Sequence, residues 1–122
     1  MPSLPSFKEM PIWQRSMQLA VEVCQISLQL PTSNKLIVSA NLQEAALAIP
    51  TTLARGSKGG RQNFARAVMS ARQTAAELET LVILMQNLYD DGALVGLLDK
   101  TVALQQALDT MAHRLTSESR PV

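Results

Sequence analysis

A strict heptad of apolar residues runs through the second half of the chain, and it constrains the fold more than any other feature. Its members follow one another at alternating spacings of four and three: Phe64, Val68, Ala71, Ala75, Leu78, Val82, Met85 and Tyr89. Because an α-helix makes one turn in about 3.6 residues, this spacing places all of them on one side of a helix. The sequence therefore predicts a helix over residues 62–88, roughly 40 Å long, with one side buried.

A second seam follows the turn predicted at Asp90-Asp91-Gly92. Residues 94–115 carry apolar side chains at the same alternating spacing, and the only polar member of the seam is Thr101. This pattern predicts a fourth helix. We expect the tail, residues 116–122, to be frayed, because terminal residues have few neighbours to hold them.

The first half of the chain predicts two more helices. Residues 11–30 begin with a proline, which suits a first helical turn, after an extended leader at residues 1–10. Their apolar stripe is Ile12, Leu19, Val23, Ile26 and Leu30, and Trp13, Met17, Ala20 and Cys24 widen it. The polar run at residues 31–34 ends this helix and supplies capping candidates for the next one.

The second helix is predicted over residues 34–55, with Pro50 in its interior. Its apolar residues recur at steps of three and four, at Val38, Leu42, Ala45, Ile49 and Leu53. Since the pattern resumes directly after Pro50, the proline should kink the helix rather than end it. Gly56, Gly59 and Gly60 then close the segment.

Four amphipathic helices with short connections predict an all-α fold, an antiparallel up-down-up-down four-helix bundle that forms one domain over residues 1–122. Short connections favour this order because each one forces its two helices to be antiparallel neighbours. Apolar residues also lie outside the seams, at Leu47, Leu81 and Leu84. Such surplus apolar surface on a small bundle predicts self-association.

Composition excludes several classes of protein. The chain is 47% hydrophobic and 17% charged, too apolar for a disordered chain. The longest apolar run, residues 81–85, is far too short to cross a bilayer, and the first residues do not read as a signal peptide. We therefore expect a cytoplasmic protein without a membrane partner. The single cysteine, Cys24, excludes an internal disulfide and is expected to be a small buried hydrophobic residue.

The sequence predicts no enzyme, no cofactor and no metal site. His113 is the only histidine, and the Glu-x-x-His pairs that build metal sites in bundles do not occur. Glu77 and Glu79 are two residues apart and point in different directions on one helix, which argues against paired-carboxylate chemistry. Gly56-Ser57-Lys58-Gly59-Gly60 resembles a phosphate-binding loop, but it lacks a lysine after the last glycine.

The clearest charge feature is a window without acidic residues between Glu44 and Glu77. It contains five basic residues, Arg55, Lys58, Arg61, Arg66 and Arg72, so the window carries +5 and the rest of the chain −4. These residues are candidates for binding an anion or nucleic acid. A helical wheel splits them between different sides, which favours a solvated face or interface ion pairs and leaves nucleic-acid binding as the alternative.

Several short motifs in order resemble the 23S rRNA intervening-sequence family of four-helix bundle proteins. They are Phe7-Lys8, Ile12-Trp13-Gln14, Leu30-Pro31, Ala45-Ala46-Leu47-Ala48-Ile49-Pro50-Thr51-Thr52-Leu53-Ala54-Arg55-Gly56, Arg61 with Phe64, and Glu77-Leu78-Glu79-Thr80. The resemblance implies a small bacterial cytosolic bundle that assembles as a homopentamer and has no established enzymatic activity. It also implies a related branch that binds nucleic acid and a reverse transcriptase, although the net charge of +1 fits that branch poorly.

Two departures from the family pattern concern charge. Gln43-Glu44 stands where the family usually has a basic residue, and Arg55 stands where it usually has a glutamate. Glu44 and Arg55 are about 16 Å apart along a helix, too far to pair within it. A matched reversal of both signs keeps them complementary if they meet across an interface, so the sequence predicts an interface ion pair.

Overall fold

The computed structural model describes residues 4–29, 35–89 and 92–118, and within these it is all-α, as predicted. A short 3-10 helix, Phe7–Glu9, precedes four α-helices. The helices are α1 (Pro11–Gln29), α2 (Lys35–Ser57), α3 (Arg61–Leu88) and α4 (Ala93–Glu118). The predicted capping run at residues 31–34 and the first two residues of the Asp90-Asp91-Gly92 turn lie outside the described residues.

The helices pack as a closed bundle. α1 packs on α2, α2 on α3, α3 on α4, and α4 on α1, whereas the described parts of α1 and α3 do not contact each other. α1 and α3 therefore occupy diagonal corners. From Arg72 to Glu79 on α3 the partners on α4 run backwards, from Asp109 to Gln105, which is the order of antiparallel neighbours. The up-down-up-down path of the whole bundle stays a prediction.

The two heptad seams form much of the core. On α3 the seam residues from Phe64 to Met85 are buried, and Tyr89 follows the helix and is half-buried. On α4 the seam is buried except for the half-buried Met111. Thr101 is accommodated because its hydroxyl donates a hydrogen bond of 2.8 Å to the carbonyl oxygen of Leu97.

The wide apolar face predicted for α1 divides into two parts. Trp13 packs against the core and Ala20 belongs to it. Met17 and Cys24 lie elsewhere on the helix and are only half-buried, so the prediction that Cys24 is a buried residue is wrong. Cys24 lies about 100° around α1 from Val23 and about 140° from Leu19, outside the arc that carries most of the core residues.

Helix α2 continues through Pro50, which is buried, and ends two residues later than predicted, at Ser57. The kink at Pro50 stays a prediction. Near the end of α2, a Cβ atom added to Gly56 would overlap the Cβ of Ala67 on α3. The absence of a side chain at Gly56 therefore allows α2 and α3 to approach closely at this end of the bundle.

The described parts of the leader and of the C-terminal segment are more ordered than the sequence predicts. The leader is not extended throughout, because Phe7–Glu9 form a 3-10 turn and Met10 is buried. The ring of Phe7 meets that of Trp13 edge-on, with 5.2 Å between ring centroids. At the other end, α4 continues to Glu118, into the segment expected to be frayed, and residues 119–122 lie outside the described part of the chain.

Candidate interaction surfaces

Four of the five basic residues predicted as a candidate site surround the turn between α2 and α3. Arg55 lies in the last turn of α2, Lys58 in the connection, Arg61 at the first residue of α3, and Arg66 about one turn further on. All four side chains are exposed. The short connection brings them to one end of the bundle, and we call them the turn basic cluster.

Arg72, the fifth residue, is held apart from this cluster. Its guanidinium forms an ion pair of 3.1 Å with the carboxylate of Asp109 on α4. Sequence spacing does not reveal this pairing, because the two residues are 37 positions apart and belong to different helices. The ion pair neutralises Arg72, so it adds little to the positive field of the turn basic cluster.

The leader contacts the turn basic cluster through Phe7. The ammonium nitrogen of Lys58 lies 5.6 Å from the centroid of the Phe7 ring, within the distance of a cation–π contact. The next residue, Lys8, is exposed, and its carbonyl oxygen accepts a hydrogen bond of 2.9 Å from the side chain of Gln14. The cation–π contact brings the leader segment that contains Lys8 to the α2–α3 turn, a proximity that sequence spacing alone does not reveal.

The N-terminus of α3 lies at the end of the α2–α3 turn. Gly60 is the N-cap residue of α3, and its φ of 89° is a left-handed conformation that favours glycine. Because glycine has no side chain, no N-cap side chain bonds to the N–H groups of the first turn. Backbone N–H groups at a helix start carry partial positive charge and can bind anions. Their field adds to that of Lys58 and Arg61 beside them.

Glu44 and Arg55, the predicted interface pair, both lie exposed on α2. Between them, the same outer side of the helix carries Leu47 and Thr51, which are also exposed. This strip therefore has an acidic residue near one end, a basic residue at the other and an aliphatic side chain between them. The geometry leaves both charges accessible to another chain.

Large aliphatic side chains are exposed on all four helices. They are Val21, Leu28, Leu47, Met69, Ile83, Leu84, Leu88 and Val95. Leu47 and Leu84 are thus exposed, as the sequence predicted, whereas the prediction for Leu81 is wrong because it is half-buried against the core. A single exposed aliphatic side chain is common on protein surfaces, but a contiguous group of them indicates a surface that binds another protein.

One such set lies on the outer side of α1. It consists of Met17, Val21, Cys24 and Leu28, at spacings of four, three and four residues. None of the four belongs to the core cluster or packs against it, and Leu28 is 72% exposed. Helix α1 therefore carries a second apolar stripe on the side away from the core, which we call the α1 outer stripe.

A hollow of ≈ 580 Å³ lies beside the α1 outer stripe, toward α4. Met17, Val21 and Leu104 contribute apolar walls, and Arg15 lies at its border. An ion pair between Glu22 of α1 and Lys100 of α4 also lines the hollow. The surface around Val21 is therefore concave and suited to receiving a protruding side chain.

The described residues contain no group of three or more His, Cys, Asp or Glu side chains placed to hold a metal ion. His113 is exposed on α4. In the part of the chain that the structure describes, no helix has the length and apolarity needed to cross a bilayer.

Comparison with known protein families agrees with the resemblance that the ordered motifs indicate. A family model described as "23S rRNA-intervening sequence protein" matches residues 8–108. This range begins just after Phe7 and includes α1, α2, the turn basic cluster, α3 and more than half of α4. No curated protein matches the chain.

Proposed function

Because the chain belongs to the 23S rRNA-intervening sequence protein family, we propose that it is a non-enzymatic, self-associating helical bundle that serves as a cytoplasmic scaffold or interaction protein. The assembly we propose is the homopentamer implied by the family resemblance. In this proposal each bundle is a rigid unit, and neighbouring copies bury one another's exposed apolar side chains.

The exposed aliphatic residues on α1 and α3 carry this proposal. Val21 and Leu28 lie in one stripe, and Met69 and Ile83 lie on the other diagonal helix. Burying such side chains between two proteins is favourable by about 25 cal/mol for each Å² of apolar surface removed from water. Interfaces are also depleted of charged residues at their centres, as both of these helix sides are.

The molecular mass in solution tests this proposal. One chain has a mass of 13.3 kDa, so a pentamer has a mass of about 66 kDa. We expect light scattering coupled to gel filtration to show an oligomer at micromolar concentration, with the mass falling on dilution. A monomer of 13.3 kDa over the whole micromolar range would refute the proposal.

A second candidate function is supported by the turn basic cluster. In this alternative the chain is a nucleic-acid-binding accessory protein, in which Arg55, Lys58, Arg61 and Arg66 contact phosphates. Lys58 also contacts the ring of Phe7, and the next residue of the leader, Lys8, is an exposed cation. Repetition of the cluster around a homo-oligomer would multiply weak contacts into stronger binding, because the second contact becomes intramolecular.

Titration of a labelled single-stranded RNA at several salt concentrations tests the alternative. Each phosphate contact should contribute about −0.7 to the slope of log affinity against log salt. Lys58→Ala with Arg61→Ala should reduce both affinity and slope, whereas Arg72→Ala should change them little because Asp109 already neutralises Arg72. Absence of binding at low salt would exclude the alternative.

A further inference from the structure

We propose that Arg55 and Arg66 form a binding site for one dianionic phosphate group, free or as a monoester, on the outer side of the α2–α3 pair. Each helix contributes one guanidinium group to the same anion. This site goes beyond both candidate functions, because neither self-association nor contact with a polynucleotide requires two arginines to share one phosphate.

A close approach of α2 and α3 places the two arginines together. A Cβ atom added to Gly56 would overlap the Cβ of Ala67, so the two helices nearly touch at this level. Arg55 directly precedes Gly56, and Arg66 directly precedes Ala67. The short connection between these packed helices makes them antiparallel, so one step back along each helix turns toward the same side of the pair. Both arginines are exposed, which identifies that side as the outer one.

No nearby acidic residue neutralises this arginine pair. Glu44 precedes Arg55 by 11 residues, and Glu77 follows Arg66 by 11 residues. Eleven residues correspond to about 16 Å of helix, or about two Debye lengths at physiological ionic strength. Neither guanidinium forms an ion pair with a described residue. The two like charges therefore repel each other, and an anion bound between them would relieve that repulsion.

The same two glutamates limit the size of the anion. A step of 11 residues turns a helix by only about 20°, so Glu44 and Glu77 lie on the same outer side as the arginines. Both glutamates are exposed. A polyanion laid along this side would meet two carboxylates about 16 Å beyond the arginines and would be repelled by them. A compact anion at the arginine end avoids this repulsion.

Two guanidinium groups match the charge of a phosphate monoester. Such a group carries a charge of about −1.5 to −2 at pH 7 and has three oxygens that accept hydrogen bonds, whereas a phosphodiester carries a single negative charge. Arginine can donate two parallel hydrogen bonds to a phosphate, because its guanidinium is planar and forked. The pair therefore favours a dianion over a diester.

Lys58 and Arg61 lie near this site but outside it. The ammonium of Lys58 lies 5.6 Å from the centroid of the Phe7 ring. Arg61 precedes Arg66 by five residues and lies about 140° from it around α3. Both residues raise the positive potential at this end of the bundle, which attracts an anion without contacting it.

Thermal denaturation followed by circular dichroism, at constant ionic strength, tests the site. The probes are inorganic phosphate, adenosine 5′-monophosphate and the phosphodiester 3′,5′-cyclic adenosine monophosphate. A ligand that binds the native state raises the Tm. We expect phosphate and the monoester to raise it, and calorimetric titration should show them binding at least about tenfold more tightly than the diester. Equal affinity for the first two assigns the site to phosphate itself, and tighter binding of the monoester assigns it to a mononucleotide.

Arg55→Gln and Arg66→Gln should each abolish the ligand-dependent rise in Tm. The double variant should lose no more than either single variant, because both arginines hold the same anion. Arg55→Lys keeps the charge but loses the forked geometry, so it should weaken binding several-fold. Both positions are exposed, and the variants without ligand should fold as the wild-type chain does.

Arg114→Gln is the matched control. Arg114 is exposed near the end of α4, which runs back toward the start of α3, so the substitution removes one positive charge from the same end of the bundle. It should retain the phosphate response, and it corrects for the general stabilisation of proteins by phosphate. The proposal is overturned if Arg114→Gln loses the response as Arg55→Gln does, if the diester binds as tightly as the monoester, or if the wild-type chain binds neither phosphate nor the monoester.

Discussion

Arg72 of α3 and Asp109 of α4 are joined by an ion pair of 3.1 Å between helices that are adjacent in the bundle. Both side chains are largely solvent-exposed, at 41% and 60%. The pair links α3 to α4, and it also separates Arg72 from the other basic residues near the α2–α3 turn. One contact thus bears on both the fold and the candidate binding surface.

Asp109→Asn should lower the free energy of unfolding by less than about 1 kcal/mol, because exposed ion pairs contribute little and are screened by salt. Urea denaturation at low ionic strength and in 1 M salt measures the difference, which should disappear in high salt. The matched variant Asp99→Asn, at an exposed position of the same helix, should show no comparable salt dependence.

Gly56→Ala should destabilise the bundle by about 1–3 kcal/mol, because the added methyl group would overlap Ala67 and push α2 away from α3. Gly96→Ala is the control, since nothing lies within 4 Å of an added Cβ there. That change should stabilise the protein by about 0.5–1 kcal/mol through better helix propensity. Equal effects of the two substitutions would contradict the close approach at Gly56.

Ser27→Ala should raise the free energy of unfolding by about 1 kcal/mol. The hydroxyl of Ser27 is buried in α1 and has no hydrogen-bond partner among the described residues, so its desolvation is uncompensated. Ser16 is also buried in α1, but its hydroxyl donates a hydrogen bond of 2.7 Å to the Ile12 carbonyl oxygen. Ser16→Ala should therefore lower stability, and chemical denaturation of both variants compares the two signs.

Glu44→Arg and Arg55→Glu should each weaken self-association if these residues meet across a subunit interface. The double exchange should restore it, because complementarity returns when both signs are reversed. Sedimentation velocity of the two single variants and the double variant gives the coupling. Losses that simply add in the double variant would show that the two side chains do not pair.

The core was largely predictable from spacing alone. The seams of α3 and α4 follow a heptad, and burial follows the same residues from Phe64 to Met85 because a continuous helix imposes its period on its contacts. Leu81 was predicted to belong to the surplus apolar surface, but it packs against the core. A helix that contacts two neighbours buries a wider arc than a single seam, and Leu81 falls within that wider arc of α3.

The candidate surfaces were less predictable. The basic residues near the α2–α3 turn are close in sequence, so their grouping follows from a short connection. The contact of Lys58 with Phe7 joins residues 51 positions apart, and no local period encodes it. The 3-10 turn at Phe7–Glu9 likewise depends on docking to the helices, which local sequence propensity does not describe.

The strict period of the α3 seam also determines how the helices twist. A straight α-helix rotates a seven-residue repeat by about 20° per heptad, or about 60° over the three heptads from Phe64 to Met85. Both ends of that seam are nevertheless buried, so we expect α3 to coil with a left-handed sense around its neighbours. A chain bound along its outer side would have to follow the same superhelical path, so a rigid straight rod would lose contact after a few turns.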